Sequence, residues 1–264
     1  EYGSQLSPRV SGLIRWGSPW ETRVSVGRGY YAPTPFTDET EAVGLVGLAP
    51  LGELDAERAD SASVDITWAQ EPFELTGTLF GSRIRDALQV LDDGPHGRPL
   101  TLVNAPSPTR TYGVELVAQV ELDDLHVIGT YMFLRSEEND PEEPLGSARR
   151  VVPLTPRHTA SLDILWEAGP ARIGIELFYT GRQELEDNPF RLLSEHYLLY
   201  GGLLDLRITD QIRVFANVEN LGDVRQTRHD PLVRPTRHGN GRWTVDAWGP
   251  IDGRVVNAGI RLSM

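Results

Sequence analysis

Thr111-Tyr112-Gly113-Val114-Glu115-Leu116-Val117-Ala118-Gln119-Val120-Glu121-Leu122 is the stretch that decides the fold. Tyr112, Val114, Leu116, Ala118, Val120 and Leu122 alternate with Thr111, Gly113, Glu115, Gln119 and Glu121, and only Val117 breaks the pattern. Successive side chains of a strand point to opposite faces, so a period of two makes a sheet with one apolar and one polar face. The same alternation returns in Val64, Ile66 and Trp68, interleaved with Ser63, Asp65 and Thr67. It returns in Ala160, Leu162, Ile164 and Trp166, in Ile173, Ile175, Leu177 and Tyr179, and in Tyr200, Leu204, Leu206 and Ile208. The chain reads as all-β, with eleven strands predicted near residues 6–16, 21–31, 62–69, 73–87, 110–122, 125–135, 158–167, 172–182, 196–208, 212–222 and 254–264.

The connections add a direction. Those at 17–20, 70–72, 123–124, 168–171 and 210–211 are tight and mostly built of turn-forming residues. Those at 32–61, 88–109, 136–157, 183–195 and 223–253 are long and polar, and short and long alternate along the whole chain. An up-and-down antiparallel sheet puts every second connection at the same end. Short turns at one end and long loops at the other is the asymmetry of an outer-membrane barrel, with periplasmic turns and extracellular loops. The alternative is an extended antiparallel sheet in a soluble protein, such as a propeller. In the barrel reading the last strand ends on the periplasmic side. Val64, Ile66, Trp68, Leu116, Ala118, Ile164, Trp166, Ile175, Leu177, Leu204 and Leu206 then face lipid, while Asp65, Glu115, Gln119, Asp163, Glu176 and Asp205 face the lumen.

Composition fits. The 264 residues carry 38 acidic and 25 basic side chains, all arginine, for a net charge of −13. That balance argues against nucleic acid as a partner, because phosphate recognition needs a basic footprint. With no cysteine, disulfide frameworks, thiolate metal sites and cysteine nucleophiles are excluded. No window approaches the roughly 20 apolar residues of a spanning helix, which leaves a barrel of half-apolar strands open. Glu1 opens the chain with no leader before it, so the N-terminus reads as cut, with targeting information upstream.

Short motifs in order carry a family resemblance. They are Ser7-Pro8-Arg9-Val10, Val26-Gly27-Arg28-Gly29-Tyr30-Tyr31-Ala32-Pro33-Thr34, Arg83-Ile84-Arg85-Asp86, and Arg110-Thr111-Tyr112-Gly113-Val114-Glu115. Thr155-Pro156-Arg157-His158, Val218-Glu219-Asn220-Leu221-Gly222-Asp223 and Gly253-Arg254 complete the set. The chain resembles the C-terminal half of a TonB-dependent outer-membrane receptor barrel over essentially its whole length, 1–264. The resemblance implies a transmembrane barrel of about 22 strands, half of them present here, plugged by an N-terminal domain. Plug, TonB-contacting segment (TonB box) and first half of the barrel would lie outside this chain. The family usually ends on an aromatic residue. Here Met264 closes a last strand that keeps Asn257, Gly259 and Leu262 in the looser assembly pattern.

No catalytic constellation emerges. His96, His126, His158, His196, His229 and His238 form no pair at metal-ligand spacing, Gly27-Arg28-Gly29 lacks the lysine and helix of a phosphate loop, and no Gly-x-Ser-x-Gly elbow occurs. The acidic run Glu137-Glu138-Asn139-Asp140-Pro141-Glu142-Glu143 reads as a solvated tip of a long outer loop, with cation bridging to lipopolysaccharide, or calcium binding, as its other readings. The last outer loop reverses the charge of the chain: Arg225, Arg228, Arg234, Arg237 and Arg242, with His229 and His238, stand against Asp230 alone. Guanidinium forks suit carboxylate, catecholate or phosphate oxygens, so these seven residues are the candidate ligand contacts. Their other reading is pairing with acidic residues of neighbouring loops or with lipid A phosphates at the rim.

The resemblance implies transport and not catalysis: energised uptake of a scarce, bulky nutrient such as a ferric siderophore, cobalamin or an oligosaccharide across a Gram-negative-type outer membrane. No cofactor is implied. The partners implied are the TonB complex acting through the plug, outer-membrane lipid and lipopolysaccharide, and a small-molecule or metal-chelate ligand. A passive porin and a soluble all-β binding module are the rival readings.

Overall fold

The computed structural model describes residues 4–36, 48–91, 100–141, 148–186, 188–237 and 242–263. Alternating sequence becomes long antiparallel strands: β1 (Arg9–Gly17), β2 (Trp20–Tyr31), β3 (Glu57–Gln70), β4 (Phe73–Arg85), β7 (Thr109–Leu122), β8 (Leu125–Asn139), β10 (His158–Ala168), β11 (Ala171–Thr180), β12 (Tyr197–Arg207), β13 (Ile212–Glu219) and β14 (Val255–Leu262). Each pairs with the next of these in one meandering sheet, and the short β9 (Arg149–Val151) extends it beside β8. A separate ribbon, β5 (Leu88–Leu91) with β6 (Thr101–Asn104), stands within one long loop. These three short strands were not predicted. The eleven long ones correspond one to one with the predicted strands.

Among the described residues β1 pairs only with β2 and β14 only with β13, so the ladder stays open between its two ends. Register also sets the tilt. Trp20 lies opposite Trp68, Trp68 opposite Leu75, Leu75 opposite Ala118, and Ala118 opposite Gly129. Along this row each of the next three hairpins closes two residues beyond the one before it, at Gln70/Phe73, Leu122/Leu125 and Ala168/Ala171. A step of one residue (~3.4 Å) per strand spacing (~4.8 Å) corresponds to a strand tilt of about 35°, the tilt of barrel strands.

The two faces sort as expected. Val64, Ile66 and Trp68 share one face with Leu79, Gly77 and Leu75, and the register carries that face through Leu116 and Ala118 to Leu162, Ile164 and Trp166. It continues through Ile175 and Leu177 to Leu204 and on to Ala216. Ile66, Leu79, Leu116 and Ile175 are each about half exposed on it. On the other face Asp65 accepts a hydrogen bond from the Thr78 hydroxyl, and Thr67 bonds Thr76. Two rings flank the apolar face. Trp16, Trp20, Trp68, Phe73 and Trp166 gather toward the short turns, and Tyr30, Tyr112, Tyr131, Tyr179 and Tyr200 toward the long loops. From Trp20 to Tyr30 is ten residues of β2, a rise of about 28 Å at this tilt, close to the ~25 Å apolar band of outer-membrane barrels.

Among the described residues the buried apolar ones are Ala56, Leu100, Leu102, Ala105, Leu185, Val245 and Trp248, and of these only Leu102 belongs to a strand, that of the loop ribbon. The long strands bury no apolar core. A water-soluble sheet must cover its apolar face against another layer; here the interior packing lies in the loops.

Two details differ from the sequence reading. β3 begins at Glu57 and β8 continues to Asn139, each several residues past the predicted end. The first three residues of the acidic run, Glu137 to Asn139, are therefore strand where the run was read as a loop tip: Glu137 pairs with Arg135 at 2.6 Å and Glu138 with Arg150 at 2.9 Å. Arginines flanking the run hold these carboxylates in the ladder. Glu142 and Glu143 lie outside the described residues.

Candidate functional site

The site stands at the long-loop end, where the β11–β12 and β13–β14 connections interlock. Its pivot is Gln226, fully buried. The Gln226 amide donates to the Asp246 carbonyl at 2.7 Å, and its oxygen accepts from the backbone N–H of Trp248 at 2.8 Å and of Gly249 at 3.2 Å. From the other loop Gln183 donates to the Trp248 carbonyl at 2.9 Å, and Ser194 accepts the Gln183 N–H. The Trp248 indole N–H donates to buried Asp230 at 3.1 Å, and Arg191 pairs with the same carboxylate at 2.6 Å while lying over the Trp248 ring. Buried polar groups of this kind hold one arrangement only when all are satisfied together. These bonds tie the described residues of the two loops together as a lid.

The Val218-Glu219-Asn220-Leu221-Gly222-Asp223 motif is the root of that lid, where β13 passes into its loop. Asn220 and Asp223 take left-handed backbone conformations, which asparagine and aspartate tolerate best among residues bearing a side chain. The Asn220 side chain closes a ring with Val224, accepting its N–H and donating to its carbonyl, both at 2.8 Å. Asp223 accepts the backbone N–H of Arg254 at 3.0 Å and pairs with Arg225 at 2.7 Å and with Arg228. The Arg254 N–H and then the Arg225 guanidinium pull its carboxyl down to about 2 from an ordinary 3.8.

The seven candidate ligand contacts therefore separate. Arg225 and Arg228 converge on Asp223, and Arg242 pairs with Asp246 at 3.0 Å. His229 packs at 5.9 Å against Trp248. Arg234 donates its backbone N–H to the Trp243 carbonyl beside the Val233–Thr244 bridge, and Arg237 is exposed three residues on. His238 lies outside the described residues.

Beneath the lid is a cavity of about 330 Å³ walled by Phe178, Thr180, Gln183, Tyr197, Trp248 and Pro156. Thr180 is buried, and its hydroxyl makes no hydrogen bond among the described residues. Below it the polar face forms a second cavity of about 460 Å³. His126, Asp163, Glu176, Leu203 and Asn217, from five adjacent strands, line it together, so this face is concave. Asp163 and Glu176 are direct cross-strand partners. A Cβ on Gly201 would stand 2.9 Å from the Glu176 carboxylate and 2.6 Å from the Val218 carbonyl, so only glycine leaves Glu176 room to lie across the wall. Sequence reading missed this aromatic and hydroxyl pocket; Phe178 and Tyr197 sit on the polar side of β11 and β12, where an aromatic among polar neighbours is the signal.

Comparisons place the architecture. The family model described as TonB dependent receptor-like, beta-barrel, matches residues 1–221. The ferric enterobactin receptor PfeA of Pseudomonas aeruginosa superimposes with a TM-score of 0.70 at 16% identity, over 98% of this chain and 40% of that one. The FrpB iron transporter of Neisseria meningitidis gives 0.68 at 17%, over 97% and 39%. The ferric-catecholate import receptor Fiu of Escherichia coli K12 gives 0.65 at 17%, over 96% and 34%. The chain thus spans well under half the length of these structures. A search of curated protein sequences finds no match.

Proposed function

Because the chain belongs to the TonB-dependent receptor β-barrel family, we propose that it forms the C-terminal part, residues 1–264, of the barrel of an outer-membrane receptor that takes up a scarce, bulky nutrient with energy from TonB. The observation that carries this reading is the concave lumen-side wall capped at its long-loop end by an interlocked lid over an aromatic pocket. A diffusion channel gains nothing from such a lid; a receptor that must first capture its cargo does.

The cargo proposed is a metal chelate of the ferric siderophore class, ahead of cobalamin or an oligosaccharide. Phe178, Tyr197 and Trp248 offer flat apolar surface and Thr180 an uncommitted hydroxyl. Aromatic walls with a few placed polar groups are the usual anatomy of small-molecule sites. The TonB contact would be made through a plug domain within the barrel, and the outward apolar face would lie in outer-membrane lipid.

The test is uptake of radiolabelled iron presented as a catecholate chelate by cells expressing the full-length protein, with and without TonB. Uptake that requires TonB supports the reading. Uptake of equal rate without TonB assigns a passive channel. No uptake of any of the three cargo classes, with the protein folded at the surface, overturns it.

A further inference from the structure

The pocket beneath the lid is built without charge. None of the ten described residues that line it is acidic, arginine or histidine. Thr159, Thr180 and Tyr197 stand in one cross-strand row, with Phe178 in the next row down the same face. Thr180 is 3% exposed, and its hydroxyl has no hydrogen-bond partner among the described residues. The side-chain nitrogens of the lining are turned to the lid: the Trp248 indole donates to Asp230, and the Gln183 amide to the Trp248 carbonyl. The cavity is left with hydroxyls and rings.

Arginines of the surrounding loops are engaged by carboxylates of those same loops. Arg191, over the Trp248 ring, pairs with Asp230 at 2.6 Å and with Glu195 at 2.8 Å. Arg225 and Arg228 pair with Asp223, Arg242 with Asp246 at 3.0 Å, and Arg150 with Glu186 at 2.6 Å. None of these five lines either cavity. Further down the same face the wall is acidic. Glu176 stands four residues below Thr180 on β11, about 13 Å along the strand, opposite Asp163, and Glu219 lines the same cavity. These three carboxylates make no ion pair among the described residues, and His126, the one basic residue of that lining, lies 3.5 Å from Glu121.

We propose that the lid pocket selects its cargo by charge, taking a metal chelate of no net charge in preference to an anionic one. A trivalent metal held by three singly charged hydroxamate groups is neutral, whereas three doubly charged catecholates leave it a net anion. An anion that gives up its water needs guanidinium groups or clustered N–H donors in exchange, and the described lining supplies neither. A neutral chelate needs less. Its amide and carbonyl oxygens take single hydrogen bonds, of the kind the Thr180 hydroxyl can donate, and its apolar arms lie on Phe178, Tyr197 and Trp248. The acidic wall below adds like-charge repulsion against any anion moving inward. Iron presented as a catecholate would then enter more slowly than the same metal in a neutral chelate. The proposal rests on the receptor reading above and narrows its chelate class.

The experiment measures equilibrium dialysis of radiolabelled iron against the full-length protein in non-ionic detergent. Three probes are compared: a neutral ferric trihydroxamate, the same trihydroxamate bearing one pendant carboxylate, and a ferric tris-catecholate. The neutral probe is expected to bind at least tenfold more tightly than either anion. Thr159→Arg, which sets a guanidinium in the pocket, should narrow that gap to less than threefold. Ser63→Arg, which adds the same charge to the lumen face of β3, four strands away, should leave it intact. Should Thr159→Arg fail to fold, Leu154→Arg, at an exposed position of the same lining, is expected to narrow the gap instead. Equal or tighter binding of the anions by the unmutated protein overturns the proposal, as does an unchanged gap in the pocket variant or an equal narrowing by Ser63→Arg. Tight binding of the anions removes the charge selection alone and leaves the chelate reading standing. Binding of none of the three by a folded, heat-modifiable barrel removes both.

Discussion

An arginine at Ile175 and an arginine at its neighbour Glu176 should have opposite fates. Ile175 faces outward between Ile164 and Gly202, about halfway up the band between the Trp166 ring and Tyr179. A charge at the bilayer midplane costs about 2–4 kcal/mol and one near the interface about 0–1. At about 1.4 kcal/mol per tenfold, Ile175→Arg should lower the folding equilibrium by roughly 30- to 700-fold. Glu176 faces the lumen opposite Asp163, so Glu176→Arg replaces two like charges with an opposite pair and should cost little. Tyr179→Arg, near the outer ring, should fall between them. The assay is urea unfolding of the full-length protein in phosphatidylcholine vesicles, with heat-modifiability reporting the folded barrel. Equal losses at 175 and 176, or a larger loss at 176, would refute the assignment of faces.

Gln226→Ala strands three backbone partners, Asp246, Trp248 and Gly249, at about 1–3 kcal/mol for each one left unsatisfied; limited proteolysis should cut residues 226–249 faster while the barrel stays folded. Asp223 has its carboxyl held at about 2 against 3.8, so its contribution to the lid is whole above about pH 4 and is lost as pH falls from there through 2. Asp223→Asn should remove that acid transition, read by tryptophan fluorescence of the lid between pH 5 and 2, without altering the strands. Thr180→Val removes a buried hydroxyl that has no partner among the described residues, so stability should hold or rise while affinity for the transported chelate falls about two- to tenfold; a drop in stability instead would show that the hydroxyl is already satisfied.

The strands were legible wherever one face meets an apolar surroundings and the other does not, as in Tyr112–Leu122. Legibility failed above the band. Residues 57–61 and 136–139 are polar on both faces, so period two left no trace, although the ladder runs straight through them. The ribbon at 88–91 and 101–104 packs within a loop and carries no long alternation. The arginine-rich loop was legible as a reversal of charge, but a window from 225 to 242 excluded the carboxylates that hold it. Asp223 and Asp246 lie just beyond either end, and with them inside, pairing within the loop would have weighed more heavily. Gln226 and Trp248 gave no signal, because a lone glutamine far in sequence from its partners looks like any loop residue.

That the packed interior lies in the loops has a consequence for how such a chain can vary. A wall residue such as Ile66 or Leu204 must only be oily, and a lumen residue only wettable, so the strands tolerate drift among many alternatives. Gln226, Gln183 and Asp230 each serve several neighbours at fixed geometry and admit few replacements. The usual gradient of a globular protein, with a constrained centre and a permissive rim, is turned inside out. The β11–β12 and β13–β14 connections also carry much of their own scaffolding through Gln183, Gln226 and Trp248, so transplanting the two together onto another wall of the same stagger would move that loop surface as a unit, with the receiving strands almost indifferent to the exchange.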